Sequence, residues 1–103
     1  MKFVNLTPHD VLLNNGTVYE KSGTVARISS TYTDFDENGI CHVKFGKITG
    51  LPESQDGVIY IVSGMVASAA KNRMDIVSPA TGHKDCIRNE QGQIVSVPGF
   101  VRN

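Results

Sequence analysis

The sequence predicts an α+β domain: a mainly antiparallel β-sheet of about six or seven short strands with one helix packed on it. Three observations carry this expectation. Val58–Val62 is apolar throughout, as a strand covered on both faces would be. Ser63 follows at once and opens a run of small residues that suits a capped helix. On either side, turn signals at Asn14-Asn15-Gly16, Asp36–Gly39 and Asn89–Gly92 cut the chain into short β-rich runs.

Taken in order, Phe3–Leu6 starts a strand that Thr7-Pro8 interrupts, because Pro8 has no N–H for a ladder. Val11–Leu13 and Thr17–Tyr19 flank an Asn-Gly turn, which predicts a hairpin of type I′. Thr24–Thr33 is rich in β-branched residues and reads as a long strand. Its partner Ile40–Ile48 alternates, with Cys41, Val43 and Phe45 on the expected core face and Ile40, His42 and Lys44 on the wet one. After the polar loop Gly50–Gly57 come the apolar strand and a helix reaching Arg73. Its expected stripe is Val62, Met65, Val66, Ala69 and Arg73, while Gly64, Ala67, Ser68 and Ala70 offer a small-residue contact face. Ile76-Val77 and Gln93–Val97 are the remaining strands, separated by the loop Ser78–His83; Pro98-Gly99 ends the last one.

The chain has 103 residues, 40% hydrophobic and 19% charged, which predicts one compact domain over residues 1–103. Ten basic residues balance ten acidic ones, a composition that disfavours binding to duplex nucleic acid. No stretch approaches the ~20 apolar residues of a membrane span, and the N-terminus lacks the apolar region of a signal peptide. Cys41 and Cys86 are too few for a disulfide scaffold, so both are expected to be reduced and the protein cytosolic; a single bridge between them stays open.

Catalytic and metal chemistry find little support. Cys41-His42 and His83-x-x-Cys86 lack the paired spacing of a closed zinc site, and adjacent strand residues point to opposite faces. His9-Asp10 is adjacent in sequence only, and Ser63-Gly64 lacks the preceding glycine of a nucleophile elbow. Neither a catalytic residue nor a cofactor is therefore assigned. Binding chemistry is better represented. Ser63 at the strand–helix junction could present free N–H groups to an anion. Asn5–Asp10 either presents His9, beside Thr7, to a ligand or forms a turn in which Asn5 and Thr7 satisfy the backbone. Arg27 interrupts an apolar run, and Arg88 follows a loop in which Ser78 and Thr81 could cradle phosphate; pairing with an aspartate is the structural alternative for both. Arg73 suits the negative end of the helix.

NLTPHDV at Asn5–Val11, SGTVAR at Ser22–Arg27 and GLPESQDGVIYIVSGMVASAA at Gly50–Ala70 resemble a family of small phage and prophage proteins with an N-terminal NLTPH motif. The likeness continues through DIVSPATG at Asp75–Gly82 and GQIVSVPGFVR at Gly92–Arg102, leaving out Tyr32–Val43. The resemblance transfers no catalytic residues. It implies a phage-type anti-defence protein in the host bacterial cytosol, one that sequesters a nucleotide-derived immune signal without cleaving it. Such a sponge for a cyclic dinucleotide or an ADP-ribose derivative needs phosphate-binding and base-stacking groups. Thr7, His9, Arg27, Tyr60, Ser63, Thr81 and Arg88 are the candidates, in a homo-oligomer large enough to enclose the ligand. The rival readings are a protein–protein inhibitor of a host defence protein and a small hydrolytic enzyme acting on a signalling nucleotide.

Overall fold

The strand that the sequence marks as doubly covered is the centre of the molecule. In the computed structural model, which describes residues 1–70 and 72–102, β6 (Val58–Ile61) lies between β1 (Lys2–Asn5) and β7 (Ile76–Pro79), and β10 (Phe100–Val101) closes the far edge. The order is β1-β6-β7-β10. Both pairings of β6 are parallel, with Val4 opposite Tyr60 and Ile61 opposite Val77, while β10 runs antiparallel to β7. The mainly antiparallel expectation therefore holds for the β7–β10 edge and for the peripheral hairpins, but not for the centre. Parallel neighbours need a crossover connection. Helix α1 (Gly64–Ala69) supplies it between β6 and β7, and residues 6–57 supply it between β1 and β6.

Three hairpins surround this sheet: β2 (Val11–Leu12) with β3 (Val18–Tyr19), β4 (Arg27–Tyr32) with β5 (Val43–Thr49), and β8 (Ile87–Arg88) with β9 (Ile94–Ser96). The strands among the described residues thus number ten, more than expected and shorter. All three hairpins close with one turn design. Gly16, Gly39 and Gly92 each donate an N–H to the residue three back (Leu13, Asp36, Asn89), which in turn donates its own N–H to the residue after the glycine. Each of these glycines has φ between 79° and 94°, and among the described residues no non-glycine has positive φ. Asn14-Asn15-Gly16 is therefore not the expected type I′ turn, which needs two positive φ angles. It is a type I turn followed by a left-handed glycine, where any Cβ would be strained.

β6 divides the core. Tyr60 and Val62 face one side with Leu6, Ala26, Val66, Ala67, Ala70 and Ile76. Ile59 and Ile61 face the other with Val11, Val77 and Val97, where the rings of Phe3, Tyr19 and Phe100 lie with centroids 5.0–5.7 Å apart. Helix and arm β4–β5 cover the first face; the two smaller hairpins cover the second.

Several local expectations change. Ser63 does cap α1, its Oγ accepting from the Val66 N–H at 3.4 Å. The helix ends at Ala69 rather than Arg73, and its buried positions are Val66 and Ala67, with Met65 58% exposed. Lys71, in the expected last turn, lies outside the described residues. Arg73 caps no helix: its Nε and Nη2 donate to both carboxylate oxygens of Asp75, at 3.0 and 2.7 Å. The odd-numbered face of β5 is not core, since Val43 and Phe45 are exposed where the arm runs past the sheet. That arm makes the molecule 51 × 39 × 23 Å, with a radius of gyration of 15.7 Å. A compact chain of this length has about 13 Å. Cys41 and Cys86 are both free thiols.

Candidate functional site

Strands β1, β6 and β7 run the same way, so their carboxyl ends finish along one edge of the sheet, carrying Thr7, Ser63 and the segment Pro79–Gly82. Ligands of open sheets with parallel strands characteristically bind at that edge. Here it forms one wall of a cleft of about 690 Å³, with Thr7, His9, Ser63, Thr81 and His83 at its polar side. Val11, Leu12, Ile94, Val97 and Val101, from the hairpins and β10, form the apolar side.

The NLTPHD corner is built around Asn5, which is 2% exposed. Its Nδ2 donates to the carbonyls of His9 and Tyr19, both at 2.9 Å. Its Oδ1 accepts from the Thr7 N–H at 2.9 Å and from the Thr7 hydroxyl at 2.6 Å; that hydroxyl also lies 2.8 Å from the His9 carbonyl. The motif is thus the backbone-satisfying turn, and through that turn it holds His9 in the lining of the cleft. Asp10 is tied as well, its Oδ1 accepting from the Lys21 N–H at 2.8 Å.

Thr7 and Ser63 also line a second, shallower cleft of about 230 Å³, with Leu6, Pro8, Met65 and Arg27. The two residues form a ridge between the apolar cleft and Arg27. Arg27 is exposed on β4, opposite Thr49, and among the described residues it has no ion-pair partner.

The remaining candidates lie elsewhere. Tyr60 is 3% exposed in the first core cluster. Its hydroxyl donates to the Glu53 carbonyl at 3.3 Å, and the Arg73 guanidinium sits 5.9 Å from its ring centroid. It cannot stack on a ligand. Arg88 pairs with no aspartate; it donates to the carbonyls of Gly92 (2.9 Å) and Thr81 (3.1 Å), fastening the cleft-wall loop from outside. Neither Arg27 nor Arg88 lines the large cleft, and the smaller cleft takes Arg27 without Arg88.

His83 also lines the cleft, although no ligand-binding role was expected of it. Its Nδ1 accepts from the Asp85 N–H at 3.0 Å and lies 3.8 Å from the Asp85 carboxylate. The signal available in the sequence was its place just after Thr81-Gly82. Among the described residues no group of three or more His, Cys, Asp or Glu side chains is placed to hold a metal ion. No helix among them is long and apolar enough to cross a membrane.

Arg73 and Asp75 stand apart from the cleft but steady the sheet that carries it. The hydrogen bond from Arg73 holds the Asp75 carboxyl below its ordinary range, against the opposing effect of burial. Arg73 is raised in turn, chiefly by the same bond. Its Nη1 also donates to the Pro52 carbonyl at 2.9 Å, pinning the loop before β6.

No protein-family model matches this chain, and neither a curated protein nor a solved structure matches it.

Proposed function

We propose that the protein is a phage-type anti-defence protein that binds a nucleotide-derived immune signal and sequesters it uncleaved in the host cytosol. The observation that carries this reading is the Thr7–Ser63 ridge, with an apolar cleft on one side and an exposed, unpaired arginine on the other. A nucleoside is largely flat and apolar with a few hydrogen-bonding edges, and it suits the cleft walled by Val11, Ile94, Val97 and Thr81. An attached phosphate would cross the ridge past Thr7, whose hydroxyl proton is held within the corner, take a hydroxyl donor from Ser63, and meet Arg27. His9 and His83 in the cleft lining would hold the sugar or a second phosphate. This division of labour replaces the two-arginine cradle and the stacking role of Tyr60. The resemblance to phage and prophage proteins supports the biological setting.

The hydrogen bonds at the ridge favour holding over turnover. Thr7 Oγ1 is engaged by Asn5 and the His9 carbonyl, and Ser63 Oγ accepts from the helix. A nucleophile needs a base within hydrogen-bond reach instead.

The test is to mix the protein with a panel of cyclic dinucleotides and cyclic ADP-ribose isomers. Unbound ligand is filtered away, the protein is heat-denatured, and the released material is chromatographed. Intact ligand recovered from wild type, and much less from Arg27→Ala, is the expected result. A new product peak would make the protein an enzyme. A panel left wholly in the filtrate would refute the sponge and leave a protein inhibitor, the reading favoured by the solvent exposure of Arg27 and Arg88.

A further inference from the structure

After β7 the chain leaves the sheet through the cleft wall in two successive turns. The His83 N–H donates to the Ala80 carbonyl at 3.3 Å, and the Cys86 N–H donates to the His83 carbonyl at 3.0 Å. Inside the second turn the Asp85 N–H donates to Nδ1 of the His83 ring, at 3.0 Å. A ring nitrogen that accepts carries a lone pair and no proton, so the proton of the neutral imidazole is on Nε2. The Asp85 carboxylate would favour a proton on Nδ1 instead, but at 3.8 Å it is beyond hydrogen-bond reach.

The group that sets this tautomer is itself fixed from across the fold. The Asp85 carbonyl accepts from Asn14 Nδ2 at 2.9 Å, and Asn14 Oδ1 accepts from the Ser96 hydroxyl at 2.6 Å. A carbonyl can only accept, so only this orientation of the Asn14 amide satisfies both bonds. The Asn14 N–H donates in turn to the Val97 carbonyl at 2.8 Å. The turn of the β2–β3 hairpin, braced on β9, therefore holds the Asp85 backbone, and that backbone holds the ring. With Nδ1 turned back on its own loop, Nε2 is the remaining polar atom of a side chain that lines the cleft. Among the described residues Nε2 has no hydrogen-bond partner.

We propose that His83 is a specificity-determining residue of the cleft, meeting the ligand as a neutral donor through Nε2–H. It selects a hydrogen-bond acceptor at that point, and the attraction of negative charge is left to Arg27. The inference rests on the cleft being the ligand site and adds a requirement on the ligand. An oxygen or an unprotonated ring nitrogen must lie within reach of His83. A group that can only donate would face Nε2–H donor to donor and be rejected.

The two ring nitrogens can be replaced separately. His83→Asn keeps an acceptor near the place of Nδ1 for the Asp85 N–H and loses the donor in the cleft. His83→Gln carries an amide donor out to the place of Nε2 and gives up the acceptor in the turn. The first measurement is the nitrogen-15 spectrum of the free chain's imidazoles at about pH 8, where an ordinary histidine is neutral. Nδ1 of His83 is expected at an unprotonated shift and Nε2 at a protonated one. The reverse assignment, or an even mixture, would overturn the proposal whatever the ligand is. The second is retention of the cyclic dinucleotides and cyclic ADP-ribose isomers by filtration, beside thermal melts. His83→Asn is expected to bind about tenfold more weakly than wild type, and His83→Gln to stay within about threefold. The melts should rank the variants the other way, with His83→Asn the more stable. Equal losses of retention, or better retention by His83→Asn, would show that the ring serves the turn alone and overturn the proposal. A panel that wild type does not retain would overturn the ligand reading and this role with it. Retention by wild type with the proton on Nδ1 would overturn this inference and leave that reading standing.

Discussion

Replacing Asn5 should cost far more than a turn residue ordinarily does. Asn5→Ala removes two donated and two accepted hydrogen bonds at a position 2% exposed. The Thr7 hydroxyl can turn to the His9 carbonyl, already 2.8 Å away, so that pair recovers. The Thr7 N–H keeps no partner, at about 1–3 kcal/mol, and the Tyr19 carbonyl, opposite Val11 in the β2–β3 ladder, loses one of its acceptor contacts, at about 1 kcal/mol. The sum is about 3 kcal/mol, a large share of a total of about 5–15 kcal/mol. For a domain of this size it lowers the melting temperature by roughly 12–24 °C. Asn5→Asp sharpens the reasoning, because a carboxylate oxygen would then face the carbonyls of His9 and Tyr19. At neutral pH it should be at least as damaging as alanine. Burial and the carbonyls would raise the folded pKa of the new carboxyl above its unfolded value of about 3.9. Its deficit against wild type should therefore be smallest below about pH 4, where the protonated carboxyl can donate again, and grow as pH rises through the folded pKa. Thermal melts of the three proteins across pH are the assay. An Asn5→Asp protein as stable as wild type at pH 7, or one whose deficit widens on acidification, would refute this account of the corner.

Three further outcomes follow from contacts away from the cleft. Asp75→Asn should cost about 1–2 kcal/mol at pH 7, because the bidentate bond to Arg73 is charge-assisted. Since the folded Asp75 carboxyl lies below its ordinary 3.8, that stability is present above pH 4 and lost as pH falls through the folded pKa, so wild type and mutant should converge in acid. Gly50→Ala should destabilise by more than about 2 kcal/mol, read by urea denaturation: φ is +78°, and the new methyl would collide with the Val25 carbonyl oxygen. Arg88→Ala should lower the melting temperature by a few degrees, about 1 kcal/mol, yet leave ligand retention largely in place; complete loss of retention would show that Arg88 contacts the ligand.

The core was legible where composition alone sets burial. Val58–Val62 needs cover on both faces whatever its neighbours are, and Ser63 caps whatever follows it. Strand direction was not legible, because Lys2–Asn5 has the same alternation beside a parallel or an antiparallel partner, and its partner is more than fifty residues away. The face of β5 misled for a physical reason. Val43 and Phe45 do share the apolar face of the hairpin, but an alternating pattern cannot say whether a core or solvent lies against it. Of the candidate residues, Thr7, His9, Ser63 and Thr81 line the large cleft, and each lies in a segment that follows or joins strands. Tyr60 and Arg88 do not; a buried hydroxyl and a carbonyl-bound guanidinium look the same in sequence as free ones.

One small molecule is expected to occupy the large cleft and reach over the ridge to Arg27. The most direct measurement is a calorimetric titration of the retained nucleotide into wild type, Arg27→Ala and Ile94→Trp. Ile94 is 46% exposed on the cleft wall, so an indole there fills space without disturbing the core. Wild type should show a single site, Ile94→Trp should abolish binding, and Arg27→Ala should lower affinity about tenfold or more, the loss of roughly 1.4 kcal/mol or more from one charge-assisted contact. Unchanged affinity in the folded Ile94→Trp protein would contradict it, because the ligand would then lie outside the cleft.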